Sequence, residues 1–203
     1  MKPTAAISTL ALLVLVLFAQ GTATAKMSTV VIDAGHGGHD RGAGIGYTYE
    51  KHLAFDVARR LEKILEDQGI ETVMTRERDE FVSLTRRVAI AKKHKRSIFV
   101  SVHFNSASST RPSGIETYYT SNHSHSKMLA ELIQSASVYQ TAFKDRGAKH
   151  ARYHVLSNNS RPAVLVECGF LTNSKERARS LSPDYRQKLA EGIAMGILRY
   201  KNG

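Results

Sequence analysis

Four side chains of the types that bind or assist metal ions stand near the ends of apolar or periodic runs in this sequence. His36 follows the apolar residues 29–33, and Glu50 stands just before a stretch with helical periodicity. His103 and Glu167 each end a later apolar run. Two imidazoles and a carboxylate are the ligand set of many catalytic zinc sites, which leave one position open for water. A further carboxylate nearby would supply the general base that a metal-activated water needs.

Spacing alone supports this metal site only as a hypothesis. The short HExxH helix motif of other zinc peptidases is absent, so no local pattern certifies the metal. Taken singly, a histidine or a glutamate at the end of a strand is more often a capping or loop residue than a ligand. The residues by themselves do not decide which carboxylate would bind and which would serve as base.

The chain between the first candidate histidine and the first candidate glutamate is rich in glycine. It carries His39, Asp40 and Arg41 between glycines at 35, 37, 38, 42, 44 and 46. Glycine lets a backbone turn tightly and approach a ligand closely. A loop of this kind, leaving the carboxyl end of a strand, is where an open α/β sheet places its ligand site.

Apolar runs and helical spacing predict the elements that position these residues. The predicted strands are residues 29–33, 70–75, 97–103, 114–120, 153–156 and 163–167. The predicted helices are one from Leu53 that ends near Gly69, one carrying Phe81, Leu84, Val88 and Ala91, one over residues 128–136, and one over residues 185–200. We therefore expect one α/β domain, with a mostly parallel twisted sheet of about six strands and helices on both faces. The carboxyl ends of its parallel strands would bring the candidate side chains together.

The beginning of the chain has the pattern of a secretory signal peptide. Lys2 supplies a positive charge, residues 10–19 are apolar, and residues 23–25 are small. We predict a signal peptide over residues 1–25 and one domain over residues 26–203. The apolar run is short for a membrane span, which disfavours the alternative of an uncleaved anchor. We expect no transmembrane anchor after cleavage, export across the inner membrane, and a periplasmic or cell-wall-associated protein.

The charge and the single cysteine limit the function classes further. The formal net charge is +11, and removal of Lys2 with the signal peptide leaves +10. Such a charge favours an anionic partner, although a solvated basic surface explains it equally well. Export argues against nucleic acid, and no aromatic-rich basic motif of the RNA-binding kind is present. Cys168 cannot form a disulfide within the chain, and strand alternation points it away from Glu167, so we expect it to pack in the core.

A family resemblance makes these expectations concrete. The sequence resembles the zinc-dependent N-acetylmuramoyl-L-alanine amidases of the type-3 amidase family. The segments that carry the resemblance follow in order and include VIDAGHGG, DRGA, SVHFN, GIETYY and PAVLVECGFLTN; they are residues 31–38, 40–43, 50–51, 75–76, 101–105, 114–119, 146–147 and 162–173. Arg41 stands where proline is common in the family, in a loop, which puts no ligand in doubt.

The resemblance implies a role for each candidate residue. His36, Glu50 and His103 would hold Zn2+, and Glu167 would be the catalytic carboxylate. The implied reaction is hydrolysis of the amide that joins N-acetylmuramic acid to L-alanine, in peptidoglycan or its fragments. Two alternatives remain: a binding module that has lost catalysis, and a peptidase that acts on the stem peptide.

Regulation and secondary site residues are also predicted. Some family members carry an inhibitory helix after the fourth strand, but residues 121–146 hold room for only one ordinary helix. We therefore expect a monomer that needs no obligatory activator. Asn105 is the best further candidate for the cleft, and His150 or His154 would line it. Arg146 would meet either a stem-peptide carboxylate or a carboxylate of the chain itself.

Overall fold

The computed structural model describes residues 27–203. The predicted signal peptide of residues 1–25 lies outside the described residues, so its assignment stays a prediction. Among the helices of the described part, none is both long and apolar enough to cross a membrane.

A central sheet of six strands organises the described chain. In chain order the strands are β1 (Thr29–Ala34), β2 (Gly44–Ile45), β3 (Thr48–Tyr49), β4 (Glu71–Met74), β5 (Ser97–Asn105), β6 (Ile115–Tyr119), β7 (Asp145–His150) and β8 (Ala163–Phe170). The order across the sheet is β4-β1-β5-β8-β6-β7, and β2 pairs with β3 in a separate small hairpin. Only the β6–β8 pairing is antiparallel in the large sheet. The prediction of a mostly parallel sheet is confirmed.

Helices cover both faces of this sheet, as predicted. They are α1 (Glu50–Asp67), α2 (Leu84–Lys92), α3 (Ser126–Thr141), α4 (His154–Ser157), α5 (Ser174–Ser180) and α6 (Pro183–Asn202). The larger core joins α1, α3 and α6 to one face, whereas α2 and α4 pack on the other. Because β1, β5 and β8 are paired on both sides and covered on both faces, their sequences are nearly continuous in apolar residues.

The structure differs from the predicted elements at four places: three predictions are wrong in type or position, and one strand was not predicted. Residues 153–156 are not a strand, because Val155 and Leu156 enter the second core from the short helix α4. The sixth strand is β7, whose sequence DRGAKH has almost no apolar signal because this edge strand pairs only with β6 and is only partly buried. Helix α2 begins at Leu84, which leaves Phe81 in the preceding loop. Glu50 is the first residue of α1 rather than the residue before it.

A buried ion pair ties the end of β1 to helix α2. The Asp33 carboxylate accepts hydrogen bonds from Arg87 Nη1, Thr75 Oγ1 and Ser101 Oγ, each at 2.6 Å. Asp33 is 1% exposed and Arg87 3%. Burial alone would raise the pKa of Asp33, but the Arg87 charge and the hydroxyl hydrogen bonds from Ser101 and Thr75 hold it below its usual range. Asp33 is therefore ionised in the core, at the strand end that leads to His36.

We expect Asp33→Asn to lower the free energy of unfolding at pH 7 by about 3–5 kcal/mol, because it leaves the buried Arg87 charge without its counter-ion. Since the folded-state pKa of Asp33 lies below its unfolded value of about 3.9, its contribution is complete above that value and is lost as the pH falls below it. Urea unfolding of wild type and variant between pH 7 and pH 3 measures the difference, which should shrink below about pH 4.

Glu131→Gln provides the matched control. Glu131 is an exposed acid on α3 whose recorded partner, Lys127, lies 3.7 Å away. Its loss should change the free energy of unfolding by less than about 0.5 kcal/mol at any of these pH values. Equal destabilisation by the two variants would contradict a special role for Asp33.

Candidate metal centre and active-site cleft

Three predicted ligands meet at the carboxyl end of the sheet. One ligand atom from each of His36, Glu50 and His103 lies within 4.8 Å of the others. Glu50 Oε1 is 3.1 Å from His36 Nε2 and 2.8 Å from His103 Nδ1. The imidazole rings meet edge to face, with their centroids 5.0 Å apart. Residues far apart in the chain therefore converge as the sheet topology predicted.

Two buried arginines fix the loop that carries the first histidine. Arg87 donates to the carbonyl oxygens of Ala34 and His36, both at 2.7 Å. Arg76 donates to the carbonyl oxygens of Ala34 and Gly35, at 3.0 and 3.1 Å. His36 itself has φ +58°, a backbone conformation that costs energy for a residue with a Cβ. The guanidinium contacts hold that conformation in place.

The carboxylate between the imidazoles is held by backbone amides. Glu50 is 4% exposed, and its Oε1 accepts from Phe104 N at 3.0 Å and its Oε2 from Ala43 N at 2.8 Å. Burial opposes its ionisation, but the hydrogen bonds and charges of His103 and His36 outweigh burial and hold the pKa of Glu50 well below its usual range. Its place in the first turn of α1 favours the anion further.

A second carboxylate orients the loop histidine. Asp40 Oδ2 lies 2.9 Å from His36 Nδ1 and so fixes the ring with Nε2 towards Glu50. Burial lowers the pKa of His36, yet the two carboxylates more than offset it, so the pKa is raised overall. A carboxylate behind a histidine is the usual outer support of a metal ligand.

Glycines allow this close packing at two positions. A Cβ on Gly35 would lie 2.5 Å from the His103 ring. A Cβ on Gly42 would lie 2.5 Å from Glu50 Oε2 and 2.6 Å from the His36 ring, and Gly42 also has φ +64°. Larger residues at these positions would displace the ligand side chains.

The donor set fits a divalent metal ion. Two imidazole nitrogens and a carboxylate oxygen lie within 4.8 Å of one another. A backbone amide holds the carboxylate from behind, and Asp40 holds His36. Two nitrogens and one oxygen suit zinc, which accepts His and carboxylate ligands. The identity of the ion belongs to the proposal below.

The fourth predicted residue lies beside this cluster. Glu167 on β8 pairs in register with His103 on β5, so the two side chains leave the same face of the sheet. Glu167 is 7% exposed, and its Oε2 has no hydrogen-bond partner among the described residues. Burial, with the negative charges of Glu50 and Glu116, raises the pKa of Glu167 well above its usual value. A buried carboxyl group with a free oxygen suits proton exchange.

Glu116 is a buried carboxylate that sequence reasoning did not single out. It pairs with Glu167 across the antiparallel β6–β8 contact and is 2% exposed. Its oxygens accept from Asn105 Nδ2 at 2.8 Å, Tyr118 Oη at 2.7 Å and Arg146 Nε at 2.7 Å, and from a lysine of β7. Burial is outweighed by these donors, which hold the pKa of Glu116 below its usual value. The GIETYY segment is the available signal, but it predicts a strand and supports the family resemblance without indicating a role for its glutamate.

These contacts settle two of the secondary predictions. Of the two partners considered for Arg146, the structure shows a carboxylate of the chain itself, Glu116. Asn105 does line the cleft, with its amide nitrogen bonded to the same carboxylate. Burial raises the pKa of the Cys168 thiol well above its usual value, and the side chain packs in the larger core, which confirms its predicted packing role.

The cluster opens into a cleft of about 570 Å³. Its apolar rim includes Phe81 and Leu84, which are 48% and 54% exposed, and Tyr153 from the loop before α4. His154 lines this cleft as predicted, whereas His150 packs against the edge of the Tyr119 ring. An open cleft with an apolar rim and a buried polar floor suits a large substrate that presents one bond to the centre.

We expect Gly42→Ala to weaken divalent metal binding by about 10- to 100-fold, because the new methyl group would displace Glu50 and His36. Gly46→Ala is the matched control, since Gly46 has a similar φ of +60° but no atom within 4 Å of an added Cβ. Competition against a chromophoric chelator measures both affinities. Equal affinities in the two variants would show that backbone strain, and not contact with the ligands, governs this position.

Curated relatives resemble the chain over most of its length. A sequence profile of the family described as N-acetylmuramoyl-L-alanine amidase matches residues 30–199. The uncharacterised protein YqiI of Bacillus subtilis is 38% identical, with 90% of this chain and 89% of that protein covered. The N-acetylmuramoyl-L-alanine amidase LytC of the same organism is 36% identical over 85% of this chain, which spans only 35% of LytC.

Solved structures agree in fold. The catalytic domain of the N-acetylmuramoyl-L-alanine amidase CwlV from Bacillus (Paenibacillus) polymyxa has a TM-score of 0.82 and 41% identity, covering 87% of this chain and 99% of that one. An N-acetylmuramoyl-L-alanine amidase from Clostridium difficile 630 has a TM-score of 0.84 and 36% identity, covering 88% and 98%. With the profile match over residues 30–199, these similarities show that the chain belongs to the N-acetylmuramoyl-L-alanine amidase family.

Proposed function

We propose that this protein hydrolyses the amide bond between N-acetylmuramic acid and L-alanine in peptidoglycan, with Zn2+ held by His36, Glu50 and His103. The observation that carries the proposal is the convergence of these three side chains beside a buried carboxyl group, Glu167, on the fold shared with amidase catalytic domains. The named activity of relatives such as LytC supports the choice of substrate.

A metal ion would assist this reaction because an amide resists attack by neutral water. Bound zinc supplies Lewis-acid chemistry, which polarises a carbonyl group and lowers the pKa of water to about 7. The chain's own part is to present the three ligands, of which His36 is held from behind by Asp40 and Glu50 by two backbone amides. Ligands held in this way lose little freedom when the ion binds.

Glu167 serves as the general base and then as the acid. Its carboxylate, which lines the cleft, accepts the proton of the attacking water and later donates it to the nitrogen of the departing L-alanine. The raised pKa of the buried carboxyl group brings its protonation closer to neutral pH, where it can both take and give a proton. Proton transfer of this kind typically contributes about 10²- to 10⁴-fold to the rate.

Glu116 leaves the base free for this task. Its carboxylate is fully occupied by four donors, so it does not compete for the proton although it lies beside Glu167 in the sheet. Two of those donors are the cations Arg146 and Lys149, which balance its charge. The two neighbouring carboxyl groups therefore have different roles.

We also propose that the enzyme acts as a monomer, after export, without an obligatory activator. The segment between β6 and β7 contains the helix α3, which packs on the sheet and on α6. Helix α3 contributes its apolar face to the larger core and is not among the elements that line the cleft. The metal centre is therefore expected to be accessible in the purified protein alone.

We expect Glu167→Gln to keep its metal and to lose about 10²-fold or more in turnover, because the amide cannot accept the proton. Zinc content by plasma emission spectroscopy and release of soluble fragments from purified sacculi measure the two properties. His36→Ala should instead lose metal and activity together. Normal cleavage by Glu167→Gln would refute the role of this residue.

Cys168→Ala is the matched control on the same strand. Its side chain leaves the opposite face of β8 and lies in the core, so the substitution should leave turnover within about twofold while lowering stability modestly. A large loss of turnover in this variant would show that disturbance of β8, rather than loss of the carboxyl group, explains the effect at position 167.

The bond that is cleaved can be identified from the products. Mass spectrometry of digested sacculi should show free stem peptides with an L-alanine amino terminus, and a chelator should abolish their formation. Products that lack a terminal residue but keep the sugar–peptide bond would identify a peptidase. Metal binding with no product at all would favour a binding module.

A further inference from the structure

A second cavity lies at the opposite end of the sheet from the metal centre. It has a volume of about 290 Å³ and is lined by the beginnings of β5 and β8, the loop before α3 and the end of α6. Ser97 in its wall precedes His103 by six positions on β5, which corresponds to about 20 Å along the strand. The cavity is therefore separate from the active-site cleft.

The walls of this cavity are strongly basic. Lys95, Arg96, Arg161 and Lys201 line it, together with His123 and His125, and no aspartate or glutamate does. Within the described part of the chain, none of these four lysine and arginine side chains forms an ion pair with a carboxylate. The positive charge here is uncompensated within the described protein.

The amino terminus of α3 adds to this potential. The helix has 16 residues, no acidic residue in its first turn, and no side-chain hydrogen bond from its N-cap residue His125. A helix amino terminus carries about half a positive charge. The carboxyl end of α6, in the other wall, carries about half a negative charge. The full positive charge of Lys201 in the last turn of α6 is larger than this partial charge.

One donor in the wall is buried and unused. The Nε atom of Arg161 is inaccessible to solvent and has no acceptor among residues 27–203. A buried donor without an acceptor is unfavourable, so a small turn of the Arg161 guanidinium group towards a bound acceptor would stabilise the complex. Burial, with His125 and Arg161 as neighbours, also holds the pKa of His123 below its usual value, as expected where positive charges crowd together.

We propose that this cavity is a binding site for a phosphate group. A phosphate offers acceptor oxygens in several directions and can therefore engage a guanidinium group and other cationic side chains together. The concave volume of about 290 Å³ admits a compact anion, whereas a merely solvated basic surface would be flat or convex. The same side chains would bind free phosphate or the phosphodiester group of a larger molecule.

Nuclear magnetic resonance of the imidazole signals of His123 and His125 tests this site without interference from the distant metal centre. The probes are inorganic phosphate and glycerophosphoglycerol, a phosphodiester, added to the purified protein at constant ionic strength. Saturable shifts of both histidines are expected with at least one probe. Tighter binding of the diester would identify a phosphodiester as the source, and tighter binding of inorganic phosphate would identify the free anion.

Variants show whether the named side chains are responsible. Arg161→Gln should weaken the binding about tenfold or more, because it removes a charged donor. Arg96→Gln, at an exposed position where folding is not at risk, should weaken it by a smaller factor. Lys93→Gln is the control, since Lys93 belongs to the same basic run but does not line the cavity.

Three outcomes would overturn the proposal. The first is the absence of saturable shifts with either probe. The second is an equal loss of affinity in Lys93→Gln and Arg96→Gln, which would indicate general attraction to a basic surface. The third is an equal response to acetate at the same ionic strength, which would show that the cavity does not distinguish phosphate from any other anion. Thermal unfolding of each variant confirms that it is folded.

Discussion

The metal centre depends on two buried guanidinium groups that hold the backbone immediately after β1. Arg87 and Arg76 donate to consecutive carbonyl oxygens of residues 34–36, and Asp33 compensates the charge of the first. In a continuing strand these carbonyl groups would accept hydrogen bonds from the neighbouring strands. Here they accept hydrogen bonds from the two arginine side chains instead. Unpaired, each buried carbonyl group would cost about 1–3 kcal/mol, so the four hydrogen bonds to these three carbonyl groups are enough to hold His36 at its positive φ. The side chain of His36, the first of the proposed ligands, is therefore held in position by the protein alone.

The floor of the cleft separates three carboxyl groups by their surroundings. Glu50 is ionised between two imidazoles, and Glu116 is ionised among four donors, so the pKa of each is lowered. Glu167 has neither kind of partner and lies near both anions, so its pKa is raised. Two charged groups and one proton-exchanging group thus arise from the same residue type, because hydrogen bonding and burial differ over a few ångströms.

Patterns in the sequence predicted the central elements better than the peripheral ones. The continuous apolar runs of β1, β5 and β8 were recognisable because these strands are buried on both faces. The pattern of residues 153–156 does not distinguish a strand from a helix, since four apolar and aromatic residues fit a short strand and one helical turn equally well. The edge strand β7 left almost no signal, because its pairing uses backbone groups that every sequence possesses.

By itself the sequence determined which types of side chain stand at the strand ends. His36, His103 and Glu167 lie at or just after apolar runs, and runs of this composition are expected to be buried. It also determined the family, through motifs spread along the chain. Only the tertiary structure decided what surrounds them. Glu116 lies beside Glu167 because β6 pairs with β8 in the antiparallel direction. The basic cavity takes its lysine, arginine and histidine residues from four separate segments of the chain. Local patterns report which residues are buried, whereas the partner of each buried charge depends on packing between distant parts of the chain.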